Sequence, residues 1–113
     1  MYYVYIIRCE GGEFYTGIAA DIARRVHEHF TQSSKCAKYT RSHRAVSLEA
    51  LWSADDRSSA SKLERRIKLL SHKQKQELTE NPDTVNDAAG IEGCFYSAEC
   101  ELLNEINKKT SEH

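Results

Sequence analysis

Tyr5 and Tyr15 lie on either side of the stretch Glu10-Gly11-Gly12-Glu13, and Arg25 and His29 follow at i, i+4. Phenols on the two strands of a hairpin can be neighbours on one face. An arginine and a histidine four apart leave a helix from the same side. A guanidinium beside an imidazole, opposite two phenols, is able to bind and polarise a phosphate. Gly17 follows the second tyrosine, and its missing Cβ lets another group approach closely. Glu64 sits at the border of a later apolar stripe, where a carboxylate can hold a divalent cation through a few waters. Each of these residues also has a plainer use. The tyrosines can fill a core, and Arg24–Glu28 and Glu64–Lys68 can be surface i, i+4 pairs. Taken singly, they define a basic α/β domain able to bind nucleic acid.

The elements that must position them are legible from periodicity. Tyr2–Arg8 alternates aromatic and β-branched residues and reads as a strand; Phe14–Ile18 is its hairpin partner. Asp21 is a suitable N-cap for a helix running to about Phe30, with Ile22, Val26 and Phe30 on its apolar face. A polar loop from Thr31 to about Lys38 and the basic stretch Tyr39–Arg44 lead into a third strand, Val46–Trp52. Ser58 or Ser59 starts a second helix whose stripe is Ala60, Leu63, Ile67 and Leu70. A further helix, roughly Ser71–Thr79, ends before Asn81-Pro82. Pro82–Gly93 reads as a linker or loop, and Phe95–Lys108 as a final acidic helix with Phe95, Leu102 and Ile106 on one face. The expected class is α+β, order β-β-α-β-α-α, with a three-stranded antiparallel sheet flanked by helices. The expected division is a domain over 1–80 and an acidic extension over 81–113.

Composition narrows the classes. The 113 residues are 40% hydrophobic and 29% charged, ordinary for one globular domain. No apolar run approaches the ~18–20 residues of a membrane span, and no signal-peptide pattern opens the chain, so a cytoplasmic protein is expected. Cys9, Cys36, Cys94 and Cys100 are scattered without a CxxC pair, and reduced thiols used as small apolar side chains are the expected reading. Cys94, Cys100 and His113 form only a loose zinc pattern. The net charge of −1 conceals a split. Residues 1–75 carry 14 Lys/Arg against 8 Asp/Glu, and residues 76–113 carry 2 against 9. A body of +6 with a tail of −7 points to polyanion binding by the body.

Order and spacing add what residue types cannot. The stretch YVYIIRCEGGEFYTGIAADIARRVHEH resembles the GIY-YIG nucleases, and within them the small stand-alone bacterial YhbQ-like group. Tyr3-Val4-Tyr5 stands for the GIY triplet and Tyr15-Thr16-Gly17 for the YIG triplet. Both triplets vary in sequence, and each keeps its tyrosine. Arg25 falls on the catalytic arginine, His29 on a histidine position in or beside the active site, and Glu64 on the metal-binding glutamate. Ala37–Arg44 resembles the segment before the third strand. The likeness covers about residues 1–78 and is silent on the tail.

The resemblance implies a divalent-metal-dependent endonuclease that hydrolyses DNA phosphodiester bonds, in repair or recombination. It implies that Glu64 holds one Mg²⁺ or Mn²⁺ ion and that Arg25 binds a non-bridging oxygen. Tyr5 is then the base and Tyr15 orients water and phosphate. A free phenol titrates near ~10, so Arg25, His29 or the metal would have to lower it. Nucleic acid, most simply DNA, would be held through phosphates by Tyr39, Arg41, His43 and Arg44 from the loop. Lys62, Arg65, Arg66, Lys73 and Lys75 would add contacts from the later helices. The alternatives are a catalytically inactive nucleic-acid-binding module and a protein-interaction domain whose acidic segment docks a basic partner. The tail could also lie over the basic body and compete with DNA.

Overall fold

The computed structural model describes residues 1–31 and 43–111. Strand β1 (Tyr2–Cys9) and strand β2 (Phe14–Ala19) form the expected hairpin. The turn between them needs glycine, because Gly11 and Gly12 have φ of +89° and +90°. It is closed by the Cys9 amide donating to the Glu13 carbonyl at 2.8 Å. Helix α1 (Ile22–Phe30) starts at Asp21, whose Oδ1 accepts the Arg24 amide at 3.2 Å. Strand β3 (Ala45–Ala54), helix α2 (Arg57–Lys68) and helix α3 (His72–Glu80) follow, so the expected element order holds through residue 80. The cap of α2 is Asp56 rather than Ser58 or Ser59; its Oδ1 accepts the Ser59 amide at 2.7 Å, a stronger charged acceptor one turn earlier.

The sheet has four strands in the order β2-β1-β3-β4, not three. The fourth, β4 (Ser97–Ala98), is a two-residue strand from the tail that pairs with Trp52 and Ser53 of β3. Alternation along the strands sends two sets of side chains to opposite faces. Val4, Ile6, Ala50, Trp52 and Ala54 meet Ala60, Leu63 and Ile67 of α2 and Leu78 of α3. Tyr5, Ile7, Cys9, Leu48 and Leu51 meet Ile22 and Val26 of α1. The pairing slips between Ile6↔Ala50 and Ile7↔Leu48, so Glu49 is an extra residue in β3. This bulge turns Glu49 to Arg8, where Oε1 accepts from Nε at 2.7 Å.

The segment expected to be a linker is folded. A 3₁₀ turn (Pro82–Thr84) leads into helix α4 (Val85–Ala89), and helix α5 (Cys100–Ser111) ends the description. Val85 and Tyr96 are buried with the α2 face of the sheet, and Ile106 with the α1 face. Asn86 bonds both the amide and the carbonyl of Tyr96, each at 2.9 Å, and Asn107 does the same for Leu48 at 3.1 and 2.8 Å. Side-chain amides thus imitate strand pairing where the tail has no strand to offer. Phe95 lies outside α5 and is exposed, so the apolar face of that helix is Leu102, Leu103 and Ile106. Cys9, Cys94 and Cys100 are free thiols, while Cys36 lies outside the described residues. Among the described residues, no helix is long and apolar enough to cross a membrane.

Candidate active site

The register places Tyr5 opposite Gly17 and Tyr15 opposite Ile7. The two tyrosines therefore share the α1 face of the hairpin as diagonal neighbours, with ring centroids 6.2 Å apart. Tyr5 comes from the inner strand, and its ring must cross the outer strand to reach the site. Gly17 makes that crossing possible: a Cβ there would lie 2.5 Å from the Tyr5 hydroxyl oxygen and 2.7 Å from Cζ. The sequence pointed to close approach at this glycine, and the approaching group is the Tyr5 phenol.

Helix α1 supplies the other two side chains. His29 is fully buried, and its Nε2 is 2.9 Å from Tyr5 Oη. In the Nδ1–H tautomer Nε2 accepts the phenol proton; in the other it donates to Oη. The imidazole packs against both rings, 5.7 Å from Tyr5 and 5.1 Å from Tyr15 between centroids. Arg25, one turn earlier, lies close enough to both phenols for its charge to act on them, and its Nη1 donates to Glu28 Oε1 at 3.0 Å. Four of the residues singled out in the sequence are thus brought into one contact group. Glu28, which sequence reasoning paired only with Arg24, joins it through Arg25. The Arg24 bond is the longer, at 3.5 Å. The signal available was an acidic residue at i+3 from the arginine as well as i+4 from its neighbour.

Electrostatics follow from this packing. Burial pulls His29 down to about 4, reinforced by the nearby Arg25 charge, so the imidazole is neutral at ordinary pH. Both phenols are pushed above the ordinary tyrosine value, chiefly by burial. The sequence expectation was that cations would lower them. Arg25 does act in that direction, but desolvation outweighs it and the neutral His29 contributes no charge. Partial burial works against the Arg25 guanidinium too, yet its bonds to Glu28 and Tyr5 hold it above its ordinary value.

Glu64 reaches the site from α2, on the other face of the sheet. It is half-buried, and its charge acts on both phenols. Its carboxylate also lies 3.6 Å from Lys68 Nζ, so the plain i, i+4 pair is present as well. Among the described residues no three His, Cys, Asp or Glu side chains converge to hold a metal. A cation here would have one carboxylate from the protein and otherwise water or substrate oxygen. That donor set fits Mg²⁺ or Mn²⁺ and does not fit a zinc cage.

The residues expected to contact nucleic acid are spread more widely. Arg65 and Arg66 are exposed on α2 beside Glu64, as is Lys62, with Lys73 exposed and Lys75 half-buried on α3. Arg44 is exposed at the start of β3 and its carbonyl accepts the Glu10 amide at 2.8 Å, while His43 is half-buried. Tyr39 and Arg41 lie outside the described residues.

The chain belongs to the GIY-YIG family: residues 1–77, which hold the tyrosine hairpin, α1, β3 and α2, match the GIY-YIG catalytic domain, and β4 lies beyond that match. Its relatives include UPF0213 protein FN1575 of Fusobacterium nucleatum, 45% identical over 83 residues, covering 74% of this chain and 81% of that protein. UPF0213 protein VNG_2274C of Halobacterium salinarum is 45% identical over 78 residues, which span 69% of this chain and 99% of that protein. The solution NMR structure of UPF0213 protein BH0048 from Bacillus halodurans covers 76% of this chain and 94% of its own, at 33% identity and a TM-score of 0.44.

Proposed function

We propose that this protein is a divalent-metal-dependent endonuclease that hydrolyses phosphodiester bonds in DNA. The observation that carries the reading is the contact group of buried Tyr5 and His29 with half-buried Tyr15 and Arg25, within reach of the Glu64 charge. A module that only bound phosphate would gain nothing from a carboxylate whose negative charge acts on the same group.

Arg25 binds a non-bridging oxygen of the scissile phosphate and stabilises the charge that builds in the transition state. Tyr15 orients the attacking water. As the water oxygen bonds to phosphorus, its proton passes to Tyr5 Oη. The phenol proton moves transiently toward His29 Nε2, unprotonated at neutral pH but a weakened base, and returns once the product leaves. The bond to the leaving 3′-oxygen breaks, and that oxygen takes a proton from solvent. A Mg²⁺ or Mn²⁺ ion on Glu64 would neutralise charge on the phosphate and the leaving oxygen. The exposed arginines and lysines of α2 and α3 hold the strand through its phosphates, so binding is salt-sensitive and largely indifferent to sequence. Repair or recombination is the setting this activity suits.

The test is incubation with plasmid, single-stranded and branched DNA, and with RNA, in Mg²⁺, in Mn²⁺ and with a chelator. Cleavage of at least one DNA form that the chelator abolishes is expected. Tight binding with no cut in any form would leave the inactive binding module as the better reading.

A further inference from the structure

Helix α1 places Arg24, Arg25 and Glu28 so that one carboxylate meets two guanidinium groups. Glu28 Oε1 accepts from Arg25 Nη1 at 3.0 Å, and Oε2 faces Arg24 Nε at 3.5 Å. The three side chains differ in exposure: Arg24 is 66% exposed, Arg25 26% and Glu28 13%. An exposed helical ion pair contributes little to stability, so the pair of bonds to Glu28 is not explained by helix stabilisation alone. The shorter of the two bonds goes to the arginine whose charge also acts on both phenols. A recess of about 250 Å³ lined by Ile18, Ala19, Asp21, Arg24, Arg25 and Glu28 opens beside the pair.

We propose that Glu28 is a positioning residue for Arg25: its carboxylate, braced by Arg24, holds the guanidinium beside the two phenols, in place before a phosphate arrives. This rests on the reading of Arg25 as the phosphate-binding group. An arginine side chain without an anchor loses rotamer entropy when a ligand orders it. With Nη1 already anchored on the same helix, that ordering precedes substrate binding. The gain belongs to the transition state, where misplacement of a charge-stabilising group lowers turnover more than binding.

The test reads Arg25 directly as well as through the reaction. Guanidinium ¹H–¹⁵N NMR spectra of the whole chain, with Arg25 assigned through Arg25→Lys, are compared for wild type, Glu28→Gln and Glu28→Ala. Wild type is expected to show separate, slowly rotating Nη resonances for Arg25. Glu28→Ala collapses them to one averaged signal, and Glu28→Gln, which keeps the shape and loses the charge, broadens them. In cleavage assays Glu28→Ala lowers kcat about 10- to 100-fold with KM changed less than about 3-fold, and Glu28→Gln lowers it about 3- to 10-fold. Arg25 resonances that are unchanged in both variants overturn the proposal, whether or not the protein cuts. Tighter binding and undiminished kcat in Glu28→Ala also overturn it, since the carboxylate would then be competing with phosphate. Collapse of the Arg25 signal in a chain that never cleaves DNA keeps the positioning role and removes the nuclease reading instead.

Discussion

The Tyr5 hydroxyl lies 2.9 Å from His29 Nε2, a contact between the inner strand of the hairpin and the last turn of α1. Both partners are buried, so neither competes with water for the other. Tyr5→Phe removes only the hydroxyl. It leaves a buried imidazole nitrogen short of a partner, at a cost of about 1–3 kcal/mol, and the fold survives. Cleavage is expected to fall at least about 100-fold. A Tyr5→Phe protein that cuts within a few-fold of wild type would remove Tyr5 from the proton path.

Gly17 makes room for that phenol. Gly17→Ala puts a methyl where the Tyr5 oxygen lies, 2.5 Å from an ideal Cβ, and the buried ring has little freedom to retreat. Overpacking of this kind costs about 1–3 kcal/mol. The melting temperature should drop, and the activity should drop further, because the ring is displaced from His29. Wild-type melting and wild-type cleavage together would show that the hairpin yields easily.

The His29 value of about 4 sets a pH window for stability. The unfolded histidine takes up a proton near pH 6.5, while the folded one resists it until about pH 4. Stability from this residue is therefore complete above about pH 6.5 and is lost as the pH falls toward 4, by up to ~3 kcal/mol. Thermal melts from pH 7 to pH 4 should diverge between wild type and His29→Gln, with the variant flatter. Parallel curves would mean that the imidazole titrates normally.

The tail is expected to be structural. Removing residues 82–113 strips Val85 and Tyr96 from one core and Ile106 from the other. Each buried apolar side chain is worth roughly 1.5–3 kcal/mol, so the loss approaches the total stability of a small domain. The shortened chain should unfold at much lower temperature or without cooperativity. If it melts like the full chain and binds DNA more tightly at low salt, the tail is a removable inhibitor after all.

These cases show what was legible in the chain. The hairpin, α1 and α3 carry their own punctuation: two glycines in a turn, Asp21 and Ser71 at N-caps, a proline past the end. The tail carries less: Pro82 and the left-handed Gly90 bound its short helical stretch, and nothing marks its strand. A two-residue strand and a five-residue helix have no period to read, and they exist because Asn86, Asn107 and Tyr96 bond elements distant in sequence. At the site, hairpin and helix geometry made Tyr5, Tyr15, Arg25 and His29 possible neighbours, and the resemblance of their order and spacing to a known family singled them out. The Glu28–Arg25 bond was not, since i+3 and i+4 partners are separated by rotamer choice alone. Nor was the direction of the phenol shifts, which depends on how deeply Gly17 lets the Tyr5 ring sink.

The most direct test of the account is single-turnover cleavage of a DNA substrate by wild type and Glu64→Ala, side by side in Mg²⁺. Glu64 is half-buried and forms an i, i+4 ion pair with Lys68 on the surface of α2, so the variant should fold. The account predicts cutting by wild type that stops with chelator, and a rate at least about 100-fold lower for Glu64→Ala. Cleavage by Glu64→Ala at the wild-type rate would contradict it.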